Sequence, residues 1–356
     1  MRSRLSAAVF LGIALLCPSA PVVSAQSDSP DEPVEINGSI HTPEQIMLLL
    51  IRSDLVYNID LVADSVDLTD SIPEPYQGVS TFVRANDDGT RHMYRYDPDQ
   101  KTIDAYLAAD SLFEAEDYKE AIAGYRKVLE LYPDYSQMYT WIGQSYRKLG
   151  TLDSALYYYQ LAIERNFIDY TAHWFLGNLY WELTDTTYAL KQLTIGHILN
   201  RHHVAMRDRL RELREQVGRP WHEWELKPEY ELSTDRYTVS VRCDLDWLFY
   251  AVTKALWKYE PEYAKKMGAS SNDSLVLDLS EEREALAVWA MSELSSAKSD
   301  STEPPTEVAL VWDCLTNGMT SPMILYEVMA VYYPTSMLLL PREMIDDMVT
   351  YVDTYH

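Results

Sequence analysis

Small and aromatic residues recur at a constant interval along the middle of this chain. Four columns share the interval: Ala109, Gly143 and Gly177; Ala121, Ala155 and Ala189; Tyr125, Tyr159 and Leu193; and Leu112, Tyr146 and Tyr180. A repeat of about 34 residues is typical of a helix–turn–helix unit that stacks on copies of itself. The pattern therefore predicts pairs of helices between about residues 102 and 203.

The columns also predict how these helices pack. The small column that contains Gly143 lets the first helix of a unit approach its neighbour, and the column that contains Tyr159 fills the space left open. Pro133 stands at the end of the first unit, where a residue without an N–H stops a helix. Gly150 falls in the turn of the second unit, where a positive φ is easily reached.

The segment resembles tetratricopeptide repeats, most clearly in Ile142-Gly143-x-x-Tyr146 followed by Gly150, Ala155, Tyr159 and Ala162. The first unit departs from the family pattern with Ala109 for the glycine and Val128 for the last alanine, and the third unit with Gly196 and Arg201. The resemblance implies a mainly α fold, an α-solenoid of three tetratricopeptide repeats at about residues 102–203.

The resemblance further implies that the first helix of each repeat lines an inner groove. The groove-facing positions are Tyr106, Asp110 and Phe113 in the first repeat, Gln137, Thr140, Gln144, Arg147 and Lys148 in the second, and Trp174, Asn178 and Trp181 in the third. Aromatic side chains supply rigid contact area, while amides and cations orient a bound chain, so a protein or peptide partner is predicted.

Two neighbouring cations, Arg147 and Lys148, would form a local positive patch able to hold a carboxylate. Some relatives clamp the C-terminal carboxylates of chaperones, but Asp110 stands where that clamp uses an asparagine, so this particular ligand is rejected. An alternative stays open for the aromatic residues. They would pack against flanking segments and fill the groove from within.

The N-terminal flank, residues 42–101, has the pattern of a small α+β region. Thr42 and Gln45 form a capping box at the start of an apolar helix. Two runs, at about residues 79–83 and 92–96, are separated by a glycine-containing turn and predict a β-hairpin.

The C-terminal flank divides at its prolines. A charged helix extends the repeats to about Val217 as a cap, and residues 218–234 have the composition of an aromatic linker. Residues 235–356 are predicted to form a separate, mostly helical region, with a short strand at about residues 237–241.

The N-terminus has the features of an export signal. Two arginines precede an apolar run from Leu5 to Leu16, and small residues lead to a cleavage site after Ala25. Residues 1–25 are therefore predicted to be a signal peptide and residues 26–41 a disordered linker, in a protein of the periplasm, cell envelope or medium. A lipoprotein signal at Cys17 is the weaker alternative. No apolar run reaches the length of about 20 residues that spans a membrane.

The chain is strongly acidic, with 30 Lys+Arg, 55 Asp+Glu and a formal charge of −25. Residues 1–25 contain two basic and no acidic residues, so the remainder carries −27. Such a surface repels the phosphates of nucleic acids and of anionic lipids. The acidity either attracts a cationic partner or metal ions, or keeps the protein soluble.

No catalytic or metal-binding motif stands out in the sequence. His197, His202 and His203 cluster near the end of the third repeat but lack the spacing of a zinc site, and nucleotide and hydrolase motifs are missing. No cofactor and no catalytic residue is predicted. Cys243 and Cys314 either form a disulfide or remain two separate buried thiols.

Two other functions stay open beside a protein-binding scaffold. The chain contains 27 Tyr and 9 Trp, and aromatic platforms also stack on sugar rings, so a glycan-binding protein is the first alternative. An unrecognised enzyme in the C-terminal region is the second. The sequence leaves the oligomeric state open.

Overall fold

The computed structural model describes residues 34–35, 39–62, 81–87, 89–224, 226–268 and 279–356. The predicted signal peptide, residues 1–25, and most of the predicted linker lie outside these ranges. The chain forms two compact units. One unit combines Met1–Ser71 with Trp224–Glu327, and the other combines Ile72–Glu223 with Val328–His356.

The described residues contain short strands and many helices. The strands are β1 (Val34–Glu35), β2 (Ser39–Ile40), β3 (Val56–Leu61), β4 (Thr81–Ala85), β5 (Arg91–Arg95), β6 (Tyr230–Thr234) and β7 (Thr238–Cys243). The helices up to the end of the repeats are α1 (Pro43–Arg52), α2 (Gln100–Glu114), α3 (Tyr118–Leu131), α4 (Gln137–Lys148), α5 (Leu152–Arg165), α6 (Tyr170–Glu182), α7 (Thr186–Leu199) and α8 (Val204–Gln216). The later ones are α9 (Leu248–Tyr259), α10 (Pro261–Lys266), α11 (Leu279–Asp300), α12 (Thr306–Thr316), α13 (Thr320–Met323), a π-helical turn (Ile324–Met329), α14 (Ala330–Tyr332), α15 (Pro334–Met337) and α16 (Arg342–Tyr355).

The three predicted helix pairs are confirmed as α2–α3, α4–α5 and α6–α7. Helix α5 begins and ends one repeat interval after α3, and α8 begins and ends one repeat interval after α6. The charged helix that the sequence predicted as a cap is therefore the first helix of an incomplete fourth repeat. It extends the row of first helices by one.

The small columns pack as the sequence predicted. A Cβ added at Gly143 would lie 2.7 Å from Cδ1 of the Tyr159 ring, and one added at Gly177 would lie 2.7 Å from Cγ of Leu193. Gly150 has a φ of +73°, a left-handed conformation that costs glycine little. Periodic small residues thus allow each second helix to insert its large side chain against the first.

The predicted β-hairpin is confirmed as the antiparallel pair β4–β5, with residues 79–80 of its first predicted strand outside the described ranges. It packs on the loops of the array. The Tyr96 hydroxyl lies 2.6 Å from Ser136 Oγ, and Asn166 Nδ2 donates to Thr81 O at 2.9 Å. The hairpin therefore belongs to the repeat unit.

The last helix, α16, also belongs to the repeat unit, where it packs against α7. Asp346 pairs with Lys191 at 2.9 Å, and Asp353 with Arg214 at 3.2 Å. The sequence predicted that residues 235–356 form one separate region. Its C-terminal end belongs to the repeat unit instead, because α16 buries its apolar stripe on the array. An amphipathic helix shows that its apolar face is buried but does not show which part of the protein it packs against.

The other unit is built around a three-stranded sheet in the order β3-β7-β6. Strands β3 and β7 are parallel, with Val56 opposite Thr238, so residues far apart in the chain share one sheet. This arrangement corrects two predicted segments. Residues 42–62 do not form a region with the hairpin, and the predicted linker 218–234 ends in strand β6, which pairs with β7.

A buried carboxylate joins the N-terminal segment to the helices of this unit. Glu284 Oε1 accepts the backbone N–H of His41 at 3.0 Å and lies 2.7 Å from His41 Nδ1, while Oε2 accepts from Trp257 Nε1 and the Tyr263 hydroxyl, each at 2.7 Å. Glu284 and His41 are both 1% exposed. The C-terminal part of the predicted disordered linker, residues 26–41, is therefore ordered. Ser39–Ile40 pairs with Val34–Glu35, and His41 is buried.

The predicted cap of α1 is confirmed, since Thr42 and Gln45 form a complete capping box. Cys243 and Cys314 are both buried thiols and do not form a disulfide. None of the helices in the described part of the chain combines the length and the hydropathy of a membrane-spanning segment.

Candidate functional site

A row of aromatic side chains runs along the first helices of the three repeats. The Phe113 ring meets Trp141 edge-to-face at 5.7 Å between centroids, and Trp141 meets Phe175 at 6.3 Å. Phe175 in turn stacks on Trp174 at 5.7 Å. All four residues, Phe113, Trp141, Trp174 and Phe175, are half-buried, so the row combines internal packing with an exposed edge. We call these four residues the aromatic row.

Beside the row, one hydrogen bond recurs from repeat to repeat. The Tyr125 hydroxyl donates to Asp110 at 3.4 Å, and the Tyr159 hydroxyl donates to Gln144 at 2.6 Å. Burial raises the pKa of both tyrosines, so both hydroxyls keep their protons and donate. Asp110 and Gln144 are thereby held in place by the second helix of their own repeat.

The third repeat satisfies the equivalent side chain differently. Leu193 occupies the tyrosine column and has no hydroxyl to donate. Asn178 Oδ1 instead accepts from Nε of Arg209 on α8 at 3.1 Å, and its Nδ2 donates to the Trp174 carbonyl at 2.9 Å. The incomplete fourth repeat therefore replaces the missing tyrosine.

The predicted positive patch is half neutralised. Arg147 forms a two-pronged ion pair with Glu182 of the next repeat, with Nε 3.2 Å from Oε2 and Nη2 bonded to Oε1. The hydrogen bond to Glu182 raises the pKa of Arg147 further, against the effect of burial. Lys148 is exposed and forms no ion pair with the described residues. The expected open pair of cations is thus a single open cation beside an internal ion pair.

Two predicted groove residues are buried and cannot reach a partner in this structure. Thr140 is 1% exposed and donates its hydroxyl to Asp169 Oδ2 at 2.8 Å, and Gln137 is 9% exposed. Asp169 also caps α6 by accepting from Thr171 N and Ala172 N. Thr140 thus joins consecutive repeats, and the burial of both Thr140 and Gln137 is unlike the ligand-binding role that the family positions implied.

The positions equivalent to Thr140 make ring contacts instead. Tyr106 meets Tyr135 at 6.4 Å, and Trp174 meets His203 at 4.9 Å. Burial, followed by the charge of Asp110, raises the pKa of Tyr106 to about 12. Tyr135 also contacts Tyr96, next to the hairpin, at 4.8 Å. At the end of the array next to the hairpin, Tyr135 thus contacts both Tyr96 and Tyr106.

Trp181 has a mainly internal role as well. It packs against the apolar cluster of Leu190, Leu193, Leu210 and Leu213, which joins the third repeat to α8. Among the predicted aromatic positions, Phe113 and Trp174 belong to the row, and Trp174 also packs against the same cluster as Trp181.

The aromatic row also contains two donors that find no acceptor. Nε1 of Trp141 and Nε1 of Trp174 are buried, and neither has a hydrogen-bond partner among the described residues. Buried indole N–H groups are normally paired, since leaving one unsatisfied costs about 1–3 kcal/mol. Since both nitrogens are buried, a ligand that brings acceptor oxygens would reach them only after the indole rings turn outward.

Transferring family positions missed four contributors: Trp141, Phe175, Glu182 and His203. Trp141 and Phe175 are themselves one repeat interval apart, so the interval alone could have found them. Glu182 follows the predicted Trp181 directly, but its pairing with Arg147 depends on how neighbouring repeats stack.

Comparison with known proteins supports the assignment of the repeats. The tetratricopeptide-repeat family model matches residues 106–170, which covers most of the first repeat and the whole second repeat. No curated protein sequence matches the chain.

Solved structures resemble the repeat region at low identity. The first tetratricopeptide domain of Spaghetti (RPAP3), bound to an HSP90 peptide, is 20% identical over 34% of this chain and 99% of its own, with a TM-score of 0.32. The Yersinia enterocolitica secretion chaperone SycD, in complex with a YopD peptide, is 13% identical over 34% of this chain and 94% of its own, with a TM-score of 0.32. The Sgt2 tetratricopeptide domain from Aspergillus fumigatus is 16% identical over 36% of this chain and 92% of its own, with a TM-score of 0.32.

Proposed function

We propose that this chain, whose middle is built of tetratricopeptide repeats, is an exported scaffold that binds a segment of a partner protein along the aromatic row. Export rests on the signal-like residues 1–25, which support a location in the periplasm, the cell envelope or the medium. Binding rests on the first helices. The proposal assigns no catalytic step and no cofactor to the repeats.

The observation that carries the binding role is the continuity of the row together with its two unpaired donors. Ring contacts link Phe113, Trp141, Phe175 and Trp174 across three repeats, so an extended chain could contact several repeats at once. The indole N–H groups of Trp141 and Trp174 are buried, and once the rings turn outward on binding they would match the carbonyl oxygens that an extended peptide presents. Aromatic anchors of this kind dominate the binding energy of protein interfaces.

Lys148 is the position from which to test contact, because it is exposed on a first helix and forms no ion pair with the described residues. A photoreactive amino acid at Lys148 in the full chain, with envelope and medium fractions as the source of partners, should capture one or a few proteins. The control places the same group at Tyr157, which is 59% exposed on the second helix α5. Capture from both positions alike, or from Tyr157 alone, would remove the first helices as the binding surface.

A paired substitution tests the two donors. Trp141→Phe with Trp174→Phe keeps aromatic rings in the row and deletes both N–H groups. Capture at Lys148 should fall several-fold while the melting temperature stays the same or rises, since the substitution removes two unsatisfied polar groups. Unchanged capture would show that the partner does not use these donors.

Glycan binding is the second candidate, favoured by a separate strip of tyrosines. Tyr146 and Tyr158 stack at 5.4 Å with 18° between their planes, and Arg126 donates to both hydroxyls at 3.0 Å. Tyr157 extends the strip with a largely exposed ring. Binding of polysaccharides to the full chain, lost on Tyr157→Ala but kept in the double tryptophan variant, would favour this function over the scaffold.

A further inference from the structure

The first helices carry more carboxylates than cations at the positions that flank the aromatic row. The repeat positions of Asp110, Phe113 and Glu114, followed through the later repeats into α8, hold the acids Asp110, Glu114, Glu182, Glu212 and Glu215 and the bases Arg147 and Lys148. Of the five acids, Asp110 is half-buried and the other four are exposed. Carboxylates therefore outnumber cations at these positions.

Ion pairs within the chain neutralise some of these carboxylates and some of these cations. Glu182 is bonded to Arg147, and Glu212 lies 2.6 Å from Arg209 Nη1. Among the described residues, Glu114 and Glu215 form no ion pair, and Lys148 is the matching cation without one. A carboxylate brought by a partner would meet a single open cation among several acids, which is unfavourable for it.

The row itself favours cations for a second reason. The faces of tryptophan and phenylalanine rings attract ammonium and guanidinium groups, and tryptophan does so most strongly. A guanidinium can also pair bidentately with a carboxylate beside the ring. Arg147 shows such two-pronged pairing within the chain in its bond to Glu182.

We propose, on the basis of the scaffold function above, that the segment bound along the aromatic row is basic, with arginine or lysine side chains between apolar residues. Its cations would lie against the rings and near Glu114, Glu182 and Glu215. A partner arginine could replace Arg147 as the ligand of Glu182. The net charge of −25 would accelerate association with such a segment at low salt.

The test uses the full chain and two fluorescent peptides of equal length, both amidated at the C-terminus. One alternates arginine with leucine and tryptophan, and the other has glutamate at every arginine position. Fluorescence anisotropy should give at least tenfold tighter binding of the arginine peptide, weakening as salt rises from about 50 to about 500 mM. Tighter or equal binding of the glutamate peptide would overturn the proposal.

A matched pair of variants locates the charges that matter. Glu114→Gln with Glu215→Gln removes two exposed acids from first helices, whereas Glu130→Gln with Glu164→Gln removes two exposed acids from the second helices α3 and α5. Both variants have the same net charge. The first should weaken binding of the arginine peptide at least fivefold and the second less than twofold. Equal losses would reduce the effect to overall charge and overturn the proposal.

The two proposals fail in distinguishable ways. If cross-linking at Lys148 captures a partner but the arginine peptide does not bind, the scaffold stands and its basic ligand is excluded. If the peptide binds but Lys148 captures nothing and Tyr157 does, the scaffold surface is wrong and the inference falls with it.

Discussion

The repeat unit and the sheet-containing unit differ in their internal contacts. The contacts within each unit join residues that are separated by very different distances along the sequence. In the repeats, Tyr159 reaches Gln144 over 15 residues, Thr140 reaches Asp169 over 29 and Arg147 reaches Glu182 over 35. In the other unit, His41 reaches Glu284 over 243 residues and Tyr57 reaches Glu260 over 203.

The difference teaches where each unit is vulnerable. A solenoid distributes its stability over similar interfaces between neighbours, so one lost contact weakens one interface. The other unit concentrates several long-range contacts on single buried side chains. Glu284 alone accepts from residues on three separate parts of the chain. The sheet-containing unit should therefore be the more sensitive to one substitution.

The largest effect is expected at Glu284. Glu284→Ala leaves the His41, Trp257 and Tyr263 donors without their acceptor, and removing one partner from such a buried network costs about 3–5 kcal/mol. Urea unfolding of the full chain measures this loss in the free energy of unfolding. The exposed Glu303→Ala serves as the control and should lose less than about 0.5 kcal/mol. Should the alanine variant not fold, Glu284→Gln keeps one acceptor oxygen and should lose about 1–3 kcal/mol. A loss below about 1 kcal/mol for both variants would contradict the concentrated design.

A smaller loss is expected inside the repeats at Gly143. Gly143→Ala would place a Cβ 2.7 Å from the Tyr159 ring, and such overpacking costs about 1–3 kcal/mol. Urea unfolding again measures the effect. Lys148→Ala, on the same helix but exposed, should change the stability by less than about 0.5 kcal/mol. If both variants were equally stable, the small column would not be the feature that sets the helix spacing.

The stability of the repeat unit should depend on pH through two buried histidines. Burial lowers the pKa of His173, and burial with nearby Arg201 lowers that of His197 well below the ordinary 6.5. The unfolded chain then takes up protons near pH 6.5 while the folded chain does not, so stability is present above that pH and falls as pH drops. The slope approaches about 1.4 kcal/mol per pH unit for each histidine.

Denaturant unfolding between pH 7.5 and 5 tests this dependence. His173→Gln with His197→Gln should flatten the slope, even though the variant is less stable at pH 7.5. The exposed His92→Gln should leave the slope as it is. An unaltered slope in the double variant would assign the pH dependence to other groups.

The smallest effect is expected for the ion pair between repeats. The Arg147 and Glu182 side chains are 25% and 43% exposed, and pairs in such surroundings contribute about 0.2–1 kcal/mol. A double-mutant cycle with Arg147→Ala and Glu182→Ala isolates the coupling. A coupling energy above about 2 kcal/mol would mean that a single contact dominates an interface of the solenoid after all.

Much of the repeat unit was predictable because its packing repeats. Gly143 and Gly177 indicated where large side chains insert, Gly150 indicated a left-handed turn, and both hold in the structure. The candidate site was predictable only in part. The family positions include Phe113 and Trp174 of the row but also the buried Thr140 and Gln137, since they give a residue's place on the helix and not its neighbours.

The long-range part was not predictable in the same way. The run Val56–Leu61 gave no sign that its partner would be Thr238–Cys243, because parallel pairing requires no short turn that fixes both strands. The assignment of α16 to the repeats and of the N-terminal segment to the other unit has the same origin. Both depend on which of several apolar surfaces is nearest in space.

The sequence by itself determined the helix pairs, their interval and the tight contacts within them, because a repeat interacts mainly with its sequence neighbours. Only the tertiary structure decided that Glu182 neutralises Arg147, that Trp141 and Phe175 join the aromatic row, and that His41 lies on Glu284. The physical reason is that hydrogen bonds and ring contacts require atoms within a few ångströms of each other. Local periodicity fixes such distances between adjacent repeats and leaves them open between residues hundreds of positions apart.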